Sequence, residues 1–377
     1  MMMTEFQPFE MERWMSKFEQ AVEYNLSESG VHPMVVSEVL ALRPGSVDEL
    51  LASDLNYPHV NGIPELREHI ATMYEGCDAD KVLVTTGAIE ANYNTIRTLL
   101  SPGDGIAVML PNYMQVWGLA KNHGLDLKTF GLREDTGWGL DTGELDAAVT
   151  PGTRLVAVCN PNNPTGHILT ESEMEAIVAA ADRVGAWILA DEVYAGAERE
   201  TDDRTPSFYG RYDKVIATGS TSKAYGLPGL RIGWAAGPID TIDQIWARHE
   251  YTSLSATRLS NYLAAIALSP EVQPRIIQRT RDYIRSGFPV LERWMDRHPG
   301  VFELVPPQAA AIAFIRYRID INSTEFIERL RKEKSVLIVP GDHFGMDRFV
   351  RVSFGLPHDY LTAALDRIHE LVAELEG

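Results

Sequence analysis

The sequence predicts an α/β fold: a doubly wound, mostly parallel sheet in a large domain, followed by a smaller α+β domain. Three observations carry that expectation. Apolar runs of strand length recur at residues 81–84, 106–110, 154–159, 186–190 and 215–217, with helical patterns between them, as parallel β-α-β units require. Most of these runs close on glycine, proline, asparagine or aspartate, so polar chemistry collects at strand ends, where open α/β sheets bind ligands. Beyond residue 270 the alternation gives way to a long polar helix and then to strands mixed with helices. The expected division is residues 1–40 as an N-terminal arm and part of the small domain, 41–272 as the large domain and 273–377 as the small C-terminal domain.

The chain of 377 residues is 45% apolar, enough for a sizeable core. Its formal net charge of −19 argues against nucleic acid or an anionic membrane as partner, since both need clustered Lys and Arg. Cys77 and Cys159 have no metal-type spacing and suggest no disulfide framework, so a reducing, cytoplasmic setting is expected. The opening methionines lead into charged, amphipathic sequence rather than an apolar signal core. No apolar run approaches the ~20 residues of a membrane span.

In chain order, residues 8–26 read as an amphipathic helix, with Phe9, Trp14, Phe18, Val22 and Leu26 at helical spacing; too short for its own core, it should dock elsewhere. Ser27 to Pro33 is loop chemistry, and a helix is expected over 34–42. Pro64 suits the first turn of a helix. After the first apolar run, Thr85-Thr86-Gly87-Ala88-Ile89 turns into a helix. The glycine lets the backbone approach an anion, and the helix start supplies free N–H groups. Tyr113 follows the second run and could stack on a flat ring. Asn160-Pro161-Asn162-Asn163-Pro164-Thr165-Gly166 follows the third, and each proline forces its predecessor extended. Asp191 closes the fourth. A carboxylate there is desolvated and wants a cationic partner. Helical pattern fills 238–269, with a break at 251–255, and 274–297; another helix is expected over 324–332. Arg351 alternates out of an apolar strand and cannot easily stay buried unpaired.

The fifth run leads into Gly219-Ser220-Thr221-Ser222-Lys223-Ala224-Tyr225-Gly226-Leu227-Pro228-Gly229-Leu230-Arg231. A lysine between serines that suit a phosphate, with a guanidinium eight residues on, fits a Schiff-base lysine whose aldehyde cofactor carries a phosphate. The stretch resembles the lysine motif of the class I/II aminotransferases, which are fold-type-I pyridoxal-phosphate enzymes. The other motifs follow in the family's order over roughly residues 30–360.

The resemblance implies pyridoxal 5′-phosphate as cofactor, with Lys223 as its Schiff-base lysine and general base. It implies Asp191 at the ring nitrogen, Tyr194 and Asn163 at the 3′-oxygen and Tyr113 over the ring. The phosphate would be held by Ser220, Ser222, Arg231 and the Gly87-Ala88-Ile89 turn, with Tyr57 reaching it from the neighbouring subunit of a homodimer. Arg351 would grip the substrate α-carboxylate, with Ser29, Gly30 and Asn163 nearby. Arg248 matches only loosely the position from which some relatives send an arginine into the neighbouring site; an exposed helical arginine is the plainer reading. Gln308-Ala309-Ala310 stands where the family often carries paired glycines.

The expected reaction is transfer of an amino group from an α-amino acid to a 2-oxo acid, without metal. The alternative is a β-eliminating or replacing lyase or a cyclase, because Ser29-Gly30-Val31-His32 and the lysine stretch also resemble the capreomycidine synthases. A regulator that has lost the chemistry is disfavoured by the intact Lys223. A nucleotide-binding protein is disfavoured because Gly-x-x-x-x-Gly-Lys-Ser/Thr is missing.

Overall fold

The computed structural model describes residues 6–376; the opening methionines lie outside them. Its main element is an eight-stranded sheet in the order Val82–Thr85, Gly233–Ala236, Val215–Ser220, Trp187–Asp191, Thr153–Cys159, Gly105–Leu110, Asp126–Arg133 and Gly139–Leu140. Five neighbours, from Val215–Ser220 to Asp126–Arg133, are parallel, and Gly233–Ala236 runs antiparallel to both strands it pairs with. The fold is therefore doubly wound α/β with a mostly parallel sheet. The middle strands are buried along nearly their whole length, which explains their unbroken apolar runs.

Register decides where the chemistry meets. Cys159 pairs with Asp191, and Asp191 with Thr218, so three strand ends lie abreast. The expected strands are all present, each within a few residues of its predicted bounds. The crossover helices obey local capping rules. Thr170 accepts from the Glu173 N–H and Glu173 reaches back to the Thr170 N–H, while Gly185 ends the same helix, Glu171–Val184, in the left-handed region. Ala88–Leu99 begins at Gly87, whose φ is 80°.

The smaller α+β layer is an antiparallel sheet in the order Phe302–Glu303, Ile312–Tyr317, Phe349–Ser353 and Val339–Pro340. The helices Gln273–Met295, Ser323–Lys334 and His358–Glu376 accompany it. Tyr24–Asn25 pairs in parallel with Val336–Leu337, tying the N-terminal segment to this layer. No helix among the described residues is long and apolar enough to cross a membrane.

Two helices are shorter than their periodicity predicts. The first runs only over Glu10–Phe18; the chain then turns into Tyr24–Asn25, so Leu26 is buried beside a strand rather than on a helix face. The helix expected over 34–42 is confined to Val36–Leu40. In the first, apolar spacing continues past the helix because Leu26 buries against other elements.

Candidate active site

A cavity of about 260 Å³ opens at the C-terminal edge of the parallel strands. The sheet contributes Cys159, Asp191 and Ser220 at strand ends, and the loops beyond add Asn163, Tyr194, Ser222, Lys223 and Arg231. Ala88, Ile89 and Tyr113 also line it, as do Ser29 and Arg351 from the N-terminal segment and the smaller sheet. Residues scattered over most of the chain therefore meet at one place.

On the lysine side, the Ser220 hydroxyl donates to Ser222 Oγ at 2.8 Å, and the Ser222 N–H donates back to Ser220 Oγ at 3.0 Å. Arg231 Nη1 donates to Ser222 Oγ at 3.4 Å and to the Pro228 carbonyl at 3.1 Å. Arg231 itself sits at φ 51°, an unusual conformation for a side-chain-bearing residue. Opposite it, a Cβ on Gly87 would stand 2.4 Å from Arg231 Nη2. The missing side chain at Gly87 thus leaves room for a guanidinium beside a helix start, a cradle for an anion. Gly30 is less tightly confined: a Cβ there would lie 3.2 Å from the Ser222 carbonyl oxygen. Among the described residues the one carboxylate within ion-pair distance of Lys223 Nζ is Glu28, at 3.7 Å.

Asp191 faces the cavity from its strand end. Asn92 Nδ2 donates to its Oδ2 at 3.0 Å and the Val193 N–H to its Oδ1 at 3.3 Å. Burial raises its pKa, against the opposing pull of these donors and the Lys223 charge. Such a carboxylate is suited to a buried cationic N–H. Glu192, next in sequence, points away and accepts from the Ser207 hydroxyl and the Phe208 N–H. Its burial pushes it up to about 7.

On the third side, Tyr194 donates to Ser29 Oγ at 2.8 Å, and burial raises its phenol well above the ordinary value. Arg351 is 2% exposed. Its Nη1 donates to Asn163 Oδ1 at 3.0 Å and its Nη2 to the Ser27 carbonyl at 2.5 Å, while Nε has no partner among the described residues. A buried guanidinium with a spare N–H is prepared for an anion such as a carboxylate. Tyr113 donates to Glu12 Oε1 at 2.6 Å and meets Phe9 edge-on at 4.9 Å.

Two predicted residues stand apart from the cavity. Tyr57 is 73% exposed and touches nothing in this chain's own site. Arg248 donates to the Gln244 carbonyl on its own helix, Ile239–His249, and to the Arg97 carbonyl on the helix Ala88–Leu99, each at 3.0 Å. The Gln308-Ala309-Ala310 turn is buried, and Ala310 takes φ 68°, a conformation easier for glycine.

Sequence reasoning missed the cover and the supports. The helix Glu10–Phe18 lays Met11, Glu12 and Met15 over the cavity, and Glu28 enters beside Ser29. Asn92 holds Asp191 while accepting from the Thr218 hydroxyl at 2.9 Å. Glu90 holds the Thr86 turn, accepting its N–H at 2.6 Å. Burial works against ionising Glu90, but contacts with His249, Thr252 and the Thr86 N–H keep it down at about 2. The only advance signal was that the first helix needed a docking surface.

Residues 48–368 match the family model for aminotransferase class I and II. The chain belongs to that family. Members of it similar to this chain include capreomycidine synthase of Streptomyces vinaceus, 31% identical over 96% of this chain and 92% of that one. An aspartate aminotransferase of Streptomyces avermitilis is 28% identical over 84% and 82% of the two chains. A solved pyridoxal-phosphate-dependent aminotransferase from Streptococcus suis superposes with a TM-score of 0.92 at 29% identity, covering 99% of each chain. The solved pyridoxal-phosphate-dependent cyclase OrfR gives 0.87 at 27% identity, covering 98% and 97%. The protein is therefore a pyridoxal-phosphate-dependent enzyme of the aminotransferase class. The chemistry of its cavity is compatible with that group: Lys223 offers an amine to an aldehyde, the Gly87–Arg231 cradle could take a phosphate, and the partly buried Asp191 could face a ring N–H.

Proposed function

We propose that this enzyme transfers the amino group of an α-amino acid to a 2-oxo acid, with Lys223 as the lysine that carries the cofactor. The observation behind this reading is the convergence of Lys223, Asp191, Asn163, Tyr194 and Arg351 on one cavity. When bound, pyridoxal phosphate supplies an aldehyde that captures amino groups and a ring that draws electrons from Cα. Ser220, Ser222, Arg231 and the N–H groups at Gly87-Ala88-Ile89 hold the phosphate. Asp191 keeps the ring nitrogen protonated, and Asn92 keeps Asp191 oriented. Asn163 and Tyr194 hydrogen-bond the 3′-oxygen, while Tyr113 covers the ring. Arg351 orients the α-carboxylate, with Asn163, Ser29 and Gly30 shaping that wall. Lys223 Nζ would act as the base that takes the Cα proton and would deliver it to the carbon of the cofactor's aldehyde group.

A second reading, a β-eliminating, replacing or cyclising reaction, is favoured by the likeness to capreomycidine synthase along 96% of this chain. The same residues would remove the Cα proton; a Cβ group would then depart. Amino acids added without a 2-oxo acid distinguish the two. Transamination halts after one turnover per site, and the visible band of the bound cofactor is lost. Continued release of ammonia or of a Cβ group, with the band retained, refutes transamination.

The working unit in this reading is a homodimer. Exposed Leu51, Leu55 and Tyr57 form an apolar surface that a second copy would cover, and its partner would receive Tyr57 at the phosphate. Pairing of Tyr24–Asn25 with Val336–Leu337 supports joining residues 1–40 with 273–377 as a small domain around 41–272. The free Cys77 and Cys159 fit a cytoplasmic setting.

A further inference from the structure

We propose that the cavity takes α-amino acids with a positively charged side chain, recognised by Glu12 and Glu28. This rests on the reading of the site as a pyridoxal-phosphate centre.

The cavity lining holds six charged groups: Glu12, Glu28, Asp191, Lys223, Arg231 and Arg351. Four of them have tasks in that centre. Arg231 faces the phosphate cradle, Asp191 the ring nitrogen and Lys223 the cofactor aldehyde. Arg351 is almost fully buried with Nε unpartnered, which fixes where a substrate carboxylate lands. The remaining two are carboxylates. Among the described residues Glu28 has one ion-pair partner, the Lys223 ammonium at 3.7 Å, whose nitrogen would be taken up by the cofactor aldehyde in the loaded site. Among the described residues Glu12 has one hydrogen-bond partner, the Tyr113 hydroxyl, a neutral donor.

Arg351 feels both charges from a distance, but among the described residues no guanidinium or ammonium other than Lys223 lies within ion-pair distance of either carboxylate, so both keep room for a cation. Glu19 adds a third at the edge, in the adjoining cleft that Glu28 also lines. Burial first, then the charges of Glu28 and Glu12, raise the Glu19 pKa against the pull of the Lys223 charge. An Asp or Glu side chain would be repelled there. A guanidinium or ammonium would satisfy both carboxylates, with Met11 and Met15 of the same wall packing along its methylene stem. The two acidic residues reach the cavity from the N-terminal helix and the segment after Tyr24–Asn25, so side-chain selection resides in the N-terminal cover.

The test is equilibrium titration of the holoenzyme with L-arginine, L-lysine, L-citrulline, L-norleucine and L-glutamate, read by the cofactor spectrum and by thermal shift. Arginine or lysine should bind at least about tenfold more tightly than citrulline and norleucine, as a charge-assisted hydrogen bond supports, and glutamate should bind most weakly. Glu28→Gln and Glu12→Gln should each reduce the cationic-to-neutral affinity ratio, and Glu28→Asp should restore part of it. Glutamine at position 12 still accepts from Tyr113, so the cover should stay in place. Norleucine or glutamate binding as tightly as arginine, or an unchanged ratio in both glutamine variants, overturns the proposal. Failure of borohydride to fix the cofactor on Lys223 overturns the underlying reading of the site, separately from any preference among amino acids.

Discussion

Replacing Gly87 with alanine tests the phosphate cradle with a single methyl group. Gly87 sits at φ 80° and ψ 161°, a region that side-chain-bearing residues avoid, so the backbone penalty is about 1–3 kcal/mol of stability. The new Cβ would stand 2.4 Å from Arg231 Nη2 and 3.2 Å from its Cζ. Those atoms are the free end of a long side chain, so the guanidinium moves rather than the backbone. Arg231 then loses its place beside the helix start, and with it charge-assisted hydrogen bonds to the phosphate worth about 1.5–3 kcal/mol. Equilibrium dialysis should show pyridoxal phosphate bound about ten- to a hundredfold more weakly. If the methyl acts through Arg231, adding Gly87→Ala to Arg231→Ala should weaken binding little further. Gly233→Ala is the contrast. Its Cβ would lie 2.2 Å from both Ala88 N and the Gly87 carbonyl carbon, backbone atoms that cannot swing aside, so folded yield should fall. A folded Gly87→Ala protein that binds the cofactor within about twofold of wild type would refute the cradle.

Asp191→Asn should retain the cofactor but slow exchange of the substrate Cα proton with deuterated water by at least about a hundredfold, because the ring nitrogen loses its anionic partner; near-normal exchange would assign that role elsewhere. Glu192 predicts a pH effect on stability. Its folded pKa of about 7 lies above the ordinary glutamate value of 4.5, so the folded state holds the extra proton between these values. The stability this proton confers is complete below about pH 4.5 and lost as pH rises through 7, amounting to about 3 kcal/mol. Denaturant melts of the apoprotein should show a shallower fall with pH in Glu192→Gln, and equal slopes would contradict the assignment. Mixing Tyr57→Ala and Lys223→Ala proteins and reassembling them should recover part of the activity if Tyr57 serves the partner's site; no recovery in a verified mixed dimer would remove Tyr57 from the phosphate.

The parts of this site that were legible in the sequence share one property: each lies within a few residues of a strand end. An apolar run sets the direction of a buried strand, and the next polar residue must then emerge at its edge. Asp191, Asn163, Ser220 and Lys223 are placed this way by local pattern, and the register of Cys159, Asp191 and Thr218 brings the edges level. Arg351 was legible for a different reason, since a lone guanidinium in an apolar strand has few alternatives to an anion. Asn92, Glu12 and Glu28 offer no such local signal. Asn92 is one polar residue in a helix, and it becomes informative only when Thr218 and Asp191, distant in sequence, are seen to share it. Glu12 lies on a helix whose periodicity says that it must dock but not where. Pairing of Tyr24–Asn25 with Val336–Leu337 is what anchors the segment that follows this helix.

The same division bears on function. In the proposed reading the strand-end residues serve any reaction that begins with removal of a Cα proton, so motifs alone leave the amino acid unspecified. The residues that distinguish one side chain from another arrive from the N-terminal cover, through contacts between sequence-distant segments such as Tyr113 with Glu12 and Lys223 with Glu28. A change confined to residues 10–30 could therefore redirect the choice of substrate while leaving Lys223, Asp191 and Arg351 untouched.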